Sequence, residues 1–321
     1  MHGDASPTKS VAPQTNARSP LPFAALVAGN VALAFGPWFV RLADTGPVAS
    51  GFWRLLLAAP VLLIAGFGTG WRPRGWTWQL WAMLALAAVC FAADLGSWHL
   101  GIVRTTLANA TLFGNSTILI FPIYGFLVAR ALPTRMQGIA LLLAFAGGAL
   151  LMGRSYQADP RHLGGDLLCV LAGLLYTGYF IFLGRVRETT PPLPALALST
   201  TVSIVPALAF ALILQERIIP HNWLPLIGLA LVSQITGQFL MVYALGRISP
   251  LVVGLTLLVQ PIVSATIGWI VYGEQLGALD FVGALLVAIA LVLVREKPAT
   301  VAEIPLADQM EPVGDTHDDR T

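Results

Sequence analysis

WTWQLWAMLALAAVCFAADLGSWHL, residues 76–100, is an apolar run whose ionisable groups are one carboxylate, Asp94, and one imidazole, His99. A helix that crosses the hydrocarbon of a bilayer needs roughly 20 mostly apolar residues, and this run exceeds that length. Trp76, Trp78 and Trp81 open it, where an amphipathic ring suits the boundary between lipid and water. The rest of the chain repeats the pattern. Apolar runs broken by Gly, Pro or Arg predict ten spans, at 22–41, 47–67, 76–100, 105–128, 134–153, 164–184, 195–214, 223–245, 249–272 and 278–294. Of 321 residues, 56% are hydrophobic and 11% charged, against about 25% charged in a soluble domain. A water-facing exterior could not hide so much apolar surface, so the expected fold is an all-α membrane protein.

The basic residues orient the spans, because cytoplasmic loops are enriched in Lys and Arg. With the N-terminus inside, twelve basic residues fall on the cytoplasmic side and five outside, namely Arg41, Arg104, Arg154, Arg161 and Arg217. Arg54 remains within a span. Both ends are therefore expected in the cytoplasm of a cell bounded by this membrane. Residues 1–20 and 296–321 read as polar, disordered tails, the second acidic. The first lacks the basic-then-apolar order of a cleavable signal. Cys90 and Cys169 lie inside apolar runs and read as packing residues, with no disulfide framework or metal site.

The chain also lies on itself at an offset of 144. Gly29 meets Gly173, Arg41 meets Arg185, Ile118 meets Ile262, and Thr105 meets Ser249. Span boundaries coincide under the same shift, which predicts two five-span repeats, 21–153 and 164–295. Five is odd, so the second copy enters the membrane from the opposite side. Inverted repeats of this kind place a substrate site near the midplane where the halves meet.

The second half carries Ala244-Leu245-Gly246-Arg247-Ile248-Ser249-Pro250, then Gln260-Pro261-Ile262, then Tyr272-Gly273-Glu274. The first half carries Phe52-Trp53-Arg54, Ala93-Asp94-Leu95-Gly96-Ser97-Trp98-His99 and Ala108-Asn109-Ala110-Thr111. Together, over roughly residues 22–295, the chain resembles the EamA-like family of the drug/metabolite transporter superfamily. The resemblance implies a ten-span carrier of small organic metabolites without a bound cofactor. The chain departs from the pattern at Ile118, where a proline is expected and Pro122 follows one turn later, and at Ala129-Arg130, which replaces the Gly-Glu pair.

Ionisable side chains inside a span are costly and point to function by default. Arg54 and Asp94 each lie about seven residues from the outer end of their spans, roughly 10 Å deep. Their helices are sequence neighbours, so an Arg54–Asp94 pair is expected, either as a static pin or as a contact for a charged substrate or proton. Trp98 shares a helical face with Asp94 and reads as a pocket wall or an interface anchor. His99 reads as a proton relay or as a donor to a carbonyl. Thr105, Asn109 and Ser116 form one stripe on the fourth span, with Asn115 beside it. Ser249, Thr256, Gln260 and Ser264 form another on the ninth, and Gln234 and Gln238 lie on the eighth. Asn109, Asn115, Gln234, Gln238 and Gln260 are too polar to face lipid, so each lines a cavity or bonds a neighbouring helix. Asn30, Ser50, Tyr176 and Tyr179 are weaker candidates.

No phosphate-cradling glycine loop and no His-Glu-x-x-His stands in the sequence. The expected function is a secondary carrier working by alternating access, exporting a zwitterionic or amphipathic solute, and not an enzyme. Its expected partners are a small-molecule substrate and the lipid bilayer, with proton coupling and a homodimer as further expectations. No cofactor, metal or nucleic acid is expected. The rival readings are a membrane-embedded lipid-handling protein and a channel or sensor.

Overall fold

The computed structural model describes residues 21–105, 110, 113–153, 162–272 and 277–295. Its regular elements are helices: α1 (Leu21–Ala34), α2 (Gly36–Leu42), α3 (Pro47–Gly68), α4 (Trp78–Ile102), α5 (Thr117–Ala129), α6 (Arg135–Gly153), α7 (Leu163–Arg187) and α8 (Pro192–Ile213). Then come α9 (Leu224–Gly228), a π-helical segment (Leu229–Gly237), α10 (Gln238–Ala244), α11 (Pro250–Thr256), α12 (Val259–Tyr272) and α13 (Ala278–Arg295). Among the described residues, seven helical stretches are long and apolar enough to cross a membrane, and three shorter apolar helices accompany them.

Local chemistry sets many of the boundaries. Pro47, Pro192 and Pro250 each open a helix at its first position, where no intrahelical N–H is needed. The Thr77 hydroxyl accepts from the Leu80 N–H and caps α4. Pro37 starts α2 directly after α1 ends, so the first span is broken at Phe35. The fourth span is interrupted by a turn at Asn115–Ser116. Phe113 and Gly114 before that turn are helical and α5 begins at Thr117 after it, while Thr105 lies outside any helix with its hydroxyl on the Asp166 carboxylate at 2.6 Å. The ninth span is likewise split, α11 ending at Thr256 and α12 starting at Val259.

The helices pack in pairs. α4 lies along α7, α3 along α8, α6 along α13 and α5 across α11, while α1 packs on the π segment and α10. Leu55, Leu84, Phe91, Tyr179, Phe180, Leu183, Leu196 and Met241 are buried in one shared core. The outside of the bundle is apolar too: Ile64 is 76% exposed and Ile213 75%. That surface suits hydrocarbon, not water.

One end of the bundle is latched. The loop between α8 and α9 folds over the start of α3. Trp53 Nε1 donates to the Ile218 carbonyl at 2.7 Å, and its ring meets Trp223 edge-on at 4.8 Å. The Gly46 N–H donates to the Arg217 carbonyl at 3.0 Å, and Glu216 accepts from the Ala49 N–H at 2.8 Å, placing a carboxylate at a helix N-terminus. Asp44 accepts from the His221 N–H at 2.8 Å, which draws its carboxyl below the usual range. A depressed pKa means the Asp44 contact is present above that range and lost only as pH falls through the lowered value. It therefore stays intact through neutral pH. Trp53→Phe keeps an aromatic ring but removes the indole N–H donor and part of the ring area on Trp223. The expected cost is about 1 kcal/mol in denaturant unfolding, the worth of one hydrogen bond. A change below ~0.3 kcal/mol would mean that the latch does not contribute to the fold.

Candidate functional site

A cavity of about 90 Å³ lies between the helices. It is lined by Leu33 and Pro37 from the first span, Arg54 from α3, Phe91, Asp94, Leu95 and Trp98 from α4, and Gly114, Asn115 and Thr117 around the start of α5. Tyr176 of α7, Gln238 of α10, and Leu257, Gln260 and Ser264 of the ninth span complete it. Both halves of the chain contribute.

Arg54 is the buried cation of the site, only 4% exposed. Its Nε donates to Gln234 Oε1 at 2.8 Å, and Gln234 Nε2 donates to the Thr200 hydroxyl at 2.9 Å. The guanidinium carbon also stands 5.9 Å from the centre of the Phe91 ring, within cation–π range. The two terminal nitrogens of Arg54 have no hydrogen-bond partner among the described residues. Asp94 is half-buried and lines the same cavity with no hydrogen bond or ion pair among them. No contact ion pair between Arg54 and Asp94 is therefore formed, although the two groups attract each other across the cavity. Gln234, brought against α3 by the π segment, takes the guanidinium Nε instead.

The π geometry explains that partner. A π turn bonds five residues back instead of four, and such segments recur at functional sites. The Thr236 hydroxyl follows the same spacing and donates to the Leu231 carbonyl at 3.0 Å. Gln234 and Gln238, four apart, consequently serve different partners. Gln234 is fully buried and positions Arg54 without lining the cavity. Gln238 lines it, accepts from the Tyr176 hydroxyl at 3.5 Å, and keeps a buried Nε2 with no partner among the described residues.

Gln260 Nε2 donates to Asn30 Oδ1 at 2.9 Å, and Asn30 Nδ2 donates to the Leu26 carbonyl at 2.9 Å. Thr117 donates to the Gly173 carbonyl at 2.6 Å. Tyr176, Tyr179, Phe180 and Phe91 form an aromatic cluster behind Arg54, with Phe91 stacked on Tyr179 at 4.6 Å.

Arg54, Asp94, Trp98, Asn115, Gln238 and Gln260 thus meet at one cavity, as does Ser264. His99 does not. It is fully buried, donates from Nδ1 to the Pro47 carbonyl at 2.6 Å, and leaves Nε2 without a partner among the described residues. That geometry fits a neutral ring holding α4 to the start of α3, so the relay reading loses its route to the cavity. Thr105 leaves the proposed stripe for Asp166, and Thr256 turns back on the Val253 carbonyl. Asn109 and Glu274 lie outside the described residues. Thr200 is the polar partner that sequence reasoning missed. A Thr among the Ser and Thr of α8 carries no spacing signal of its own.

A helical bundle with an apolar exterior and a polar cavity shared by both halves of the chain defines a multi-pass membrane transporter. The chain belongs to the EamA-like transporter family, whose model matches it twice, over residues 22–153 and 163–295. It is similar to an uncharacterized transporter of Archaeoglobus fulgidus, 23% identical over 269 residues that cover 80% of this chain and 91% of that one. A known crystal structure superposes with a TM-score of 0.71 over 85% of this chain and 94% of its own, at 13% identity, and so shows the fold alone.

Proposed function

We propose that the chain is a secondary carrier of a small zwitterionic solute, built of ten spans in two inverted five-helix repeats and working by alternating access. The observation that carries this reading is that Arg54 and Asp94 line one cavity without pairing. Two opposite charges held apart in a low-dielectric site, each short of partners, complement a molecule that bears both a carboxylate and an ammonium. Arg54 takes the carboxylate through its terminal nitrogens, and Asp94 takes the ammonium or, in the empty carrier, a proton.

Helix packing supports the repeat. Exchanging each span for its partner five later maps the α4–α7 contact onto the contact of α1 with the π segment and α10. The α3–α8, α5–α11 and α6–α13 contacts map onto themselves. Seven long apolar stretches and three shorter ones are consistent with ten spans, and the family model matches each half separately. From the excess of basic residues on one side we infer termini in the cytoplasm and a place in the cell membrane, and export is the direction proposed.

At about 90 Å³ the cavity is well below the roughly 300–1,000 Å³ typical of ligand pockets, which fits a closed stage of the cycle. The test is a thermal-shift screen of zwitterionic metabolites on purified protein, followed by counterflow of the hits in proteoliposomes. Saturable counterflow is expected. Lipid scrambling with no saturable solute flux would replace this reading with a lipid-handling one, and non-saturating flux with a channel. Gln260→Ala removes one cavity donor and leaves Asn30 Oδ1 unpaired. Apparent affinity is expected to fall about tenfold, the effect of ~1.4 kcal/mol. Asp94→Asn is expected to remove the pH dependence of counterflow in the range where wild type shows it.

A further inference from the structure

At the end of the bundle away from the latch, a second recess of about 670 Å³ opens between the end of α3, the start of α8 and the end of α10. It shares no lining residue with the central cavity. Trp71, Leu193, Phe239, Tyr243 and a run of prolines form its walls, and Arg247 stands at its rim.

Its one charged lining residue is Arg247. Gly246, at φ 81°, turns the chain so that Arg247 lies 4.4 Å from the Tyr243 ring centre and donates to the Tyr243 carbonyl at 2.5 Å. Arg187 donates from Nε to the Val242 carbonyl at 3.0 Å and from Nη1 to the Thr190 carbonyl. Those carbonyls adjoin Tyr243 and Pro191 in the recess wall. Arg187 feels the charge of Arg247 and, among the described residues, of no carboxylate. The nearby Glu188 is held by Arg185 at 3.1 Å. Two neighbouring guanidiniums bound only to carbonyls repel each other and leave a site for an anion. Trp71, Trp76 and Trp81 follow one another edge to face, 5.8 and 4.8 Å apart, and mark this level as the membrane interface.

We propose that this recess binds an anionic phospholipid, its phosphate on Arg247 with the Arg187 charge behind the wall, and an acyl chain along Leu193 and Phe239. Basic pockets between spans at an interface suit acidic headgroups. The apolar walls favour a lipid over free phosphate.

The test uses protein purified in a neutral detergent and titrated with phosphatidylglycerol, with phosphatidylcholine of the same chains, or with inorganic phosphate. The thermal midpoint is read, and native mass spectrometry counts bound lipid. Phosphatidylglycerol is expected to raise the midpoint and to appear as a bound adduct, while the other two do neither. Arg247→Gln is expected to weaken that response about fivefold, the loss of one basic contact. Arg247→Lys is expected to keep it. An equal shift with phosphatidylcholine, a full shift with inorganic phosphate, or an undiminished response in Arg247→Gln would overturn the proposal. The wild-type adduct spectrum decides the matter even if Arg247→Gln fails to fold.

Discussion

Arg54→Met is expected to leave the protein folded, with a thermal midpoint no lower than wild type, while counterflow falls by about two orders of magnitude. The two halves of that expectation come from separate balances. Removing a guanidinium from water costs several kcal/mol. In the empty site Arg54 recovers part of this from one hydrogen bond to a neutral amide, one ring contact and a longer-range attraction to Asp94. A hydrogen bond to a charged group returns about 1.5–3 kcal/mol. Replacing Arg54 by an apolar chain of similar length removes the whole desolvation cost. It leaves Gln234 Oε1 without its donor, a loss of about 1–3 kcal/mol. The sum lies near zero or in favour of the variant. A direct pair with Asp94 would have reversed this, because breaking it strands a buried charge at a cost of about 3–5 kcal/mol. For transport the balance differs. A charge-assisted contact to a solute carboxylate lost at the barrier amounts to roughly 2.7 kcal/mol for a hundredfold effect. Thermal unfolding and initial counterflow rates measure the two separately. A variant that unfolds well below wild type yet transports normally per folded molecule would make Arg54 a structural pin.

The residues that met at the cavity were legible for a simple reason: lipid makes polar side chains conspicuous. Arg54, Asp94, Asn115 and Gln260 stand out in apolar runs, and all four line one cavity. Their partners were not legible, because helical spacing assumes about 3.6 residues per turn throughout. The π segment breaks that assumption between Leu229 and Gly237 and separates Gln234 from Gln238. The same assumption drew a stripe through Thr105 and Ser116, although Thr105 lies outside any helix and Ser116 sits in the turn before α5. Pairing also depends on tertiary contacts that no local pattern encodes. Asn30, a weak candidate by sequence, proved to be the acceptor for Gln260 across the first and ninth spans. The latch of Glu216 and Ile218 on the start of α3 rests on a loop with no motif. His99 could be read from sequence as a relay or a carbonyl partner, and only the Pro47 contact separates them.

Gly254→Val is expected to destabilise the bundle by about 3 kcal/mol, the upper end of over-packing costs. α5 and α11 cross there by setting a glycine of each against a proline of the other. A Cβ on Gly254 would stand 2.8 Å from Pro122 Cγ, 2.9 Å from its Cδ and 3.0 Å from the Ile118 carbonyl oxygen. A Cβ on Gly125 would stand 2.9 Å from Pro250 Cβ. Neither a pyrrolidine ring nor a helix backbone can rotate away, so the helices themselves must separate. Pro122, displaced one turn from where the family pattern expects a proline, is thus used as the knob of this crossing. Gly184 gives the control, since a Cβ there meets nothing within 4 Å. Gly184→Ala is expected to be neutral or to stabilise by up to ~1 kcal/mol through helix propensity. The crossing also lies between the cavity residues Asn115 and Gln260 and the end of the bundle away from the latch. If it closes the cavity on that side, the milder Gly125→Ala should loosen the closure without unfolding the protein. A cysteine placed at Ser264 should then react faster with an aqueous maleimide applied from the side away from the latch. Unchanged labelling together with unchanged unfolding in both glycine variants would show that the two helices do not depend on this close approach.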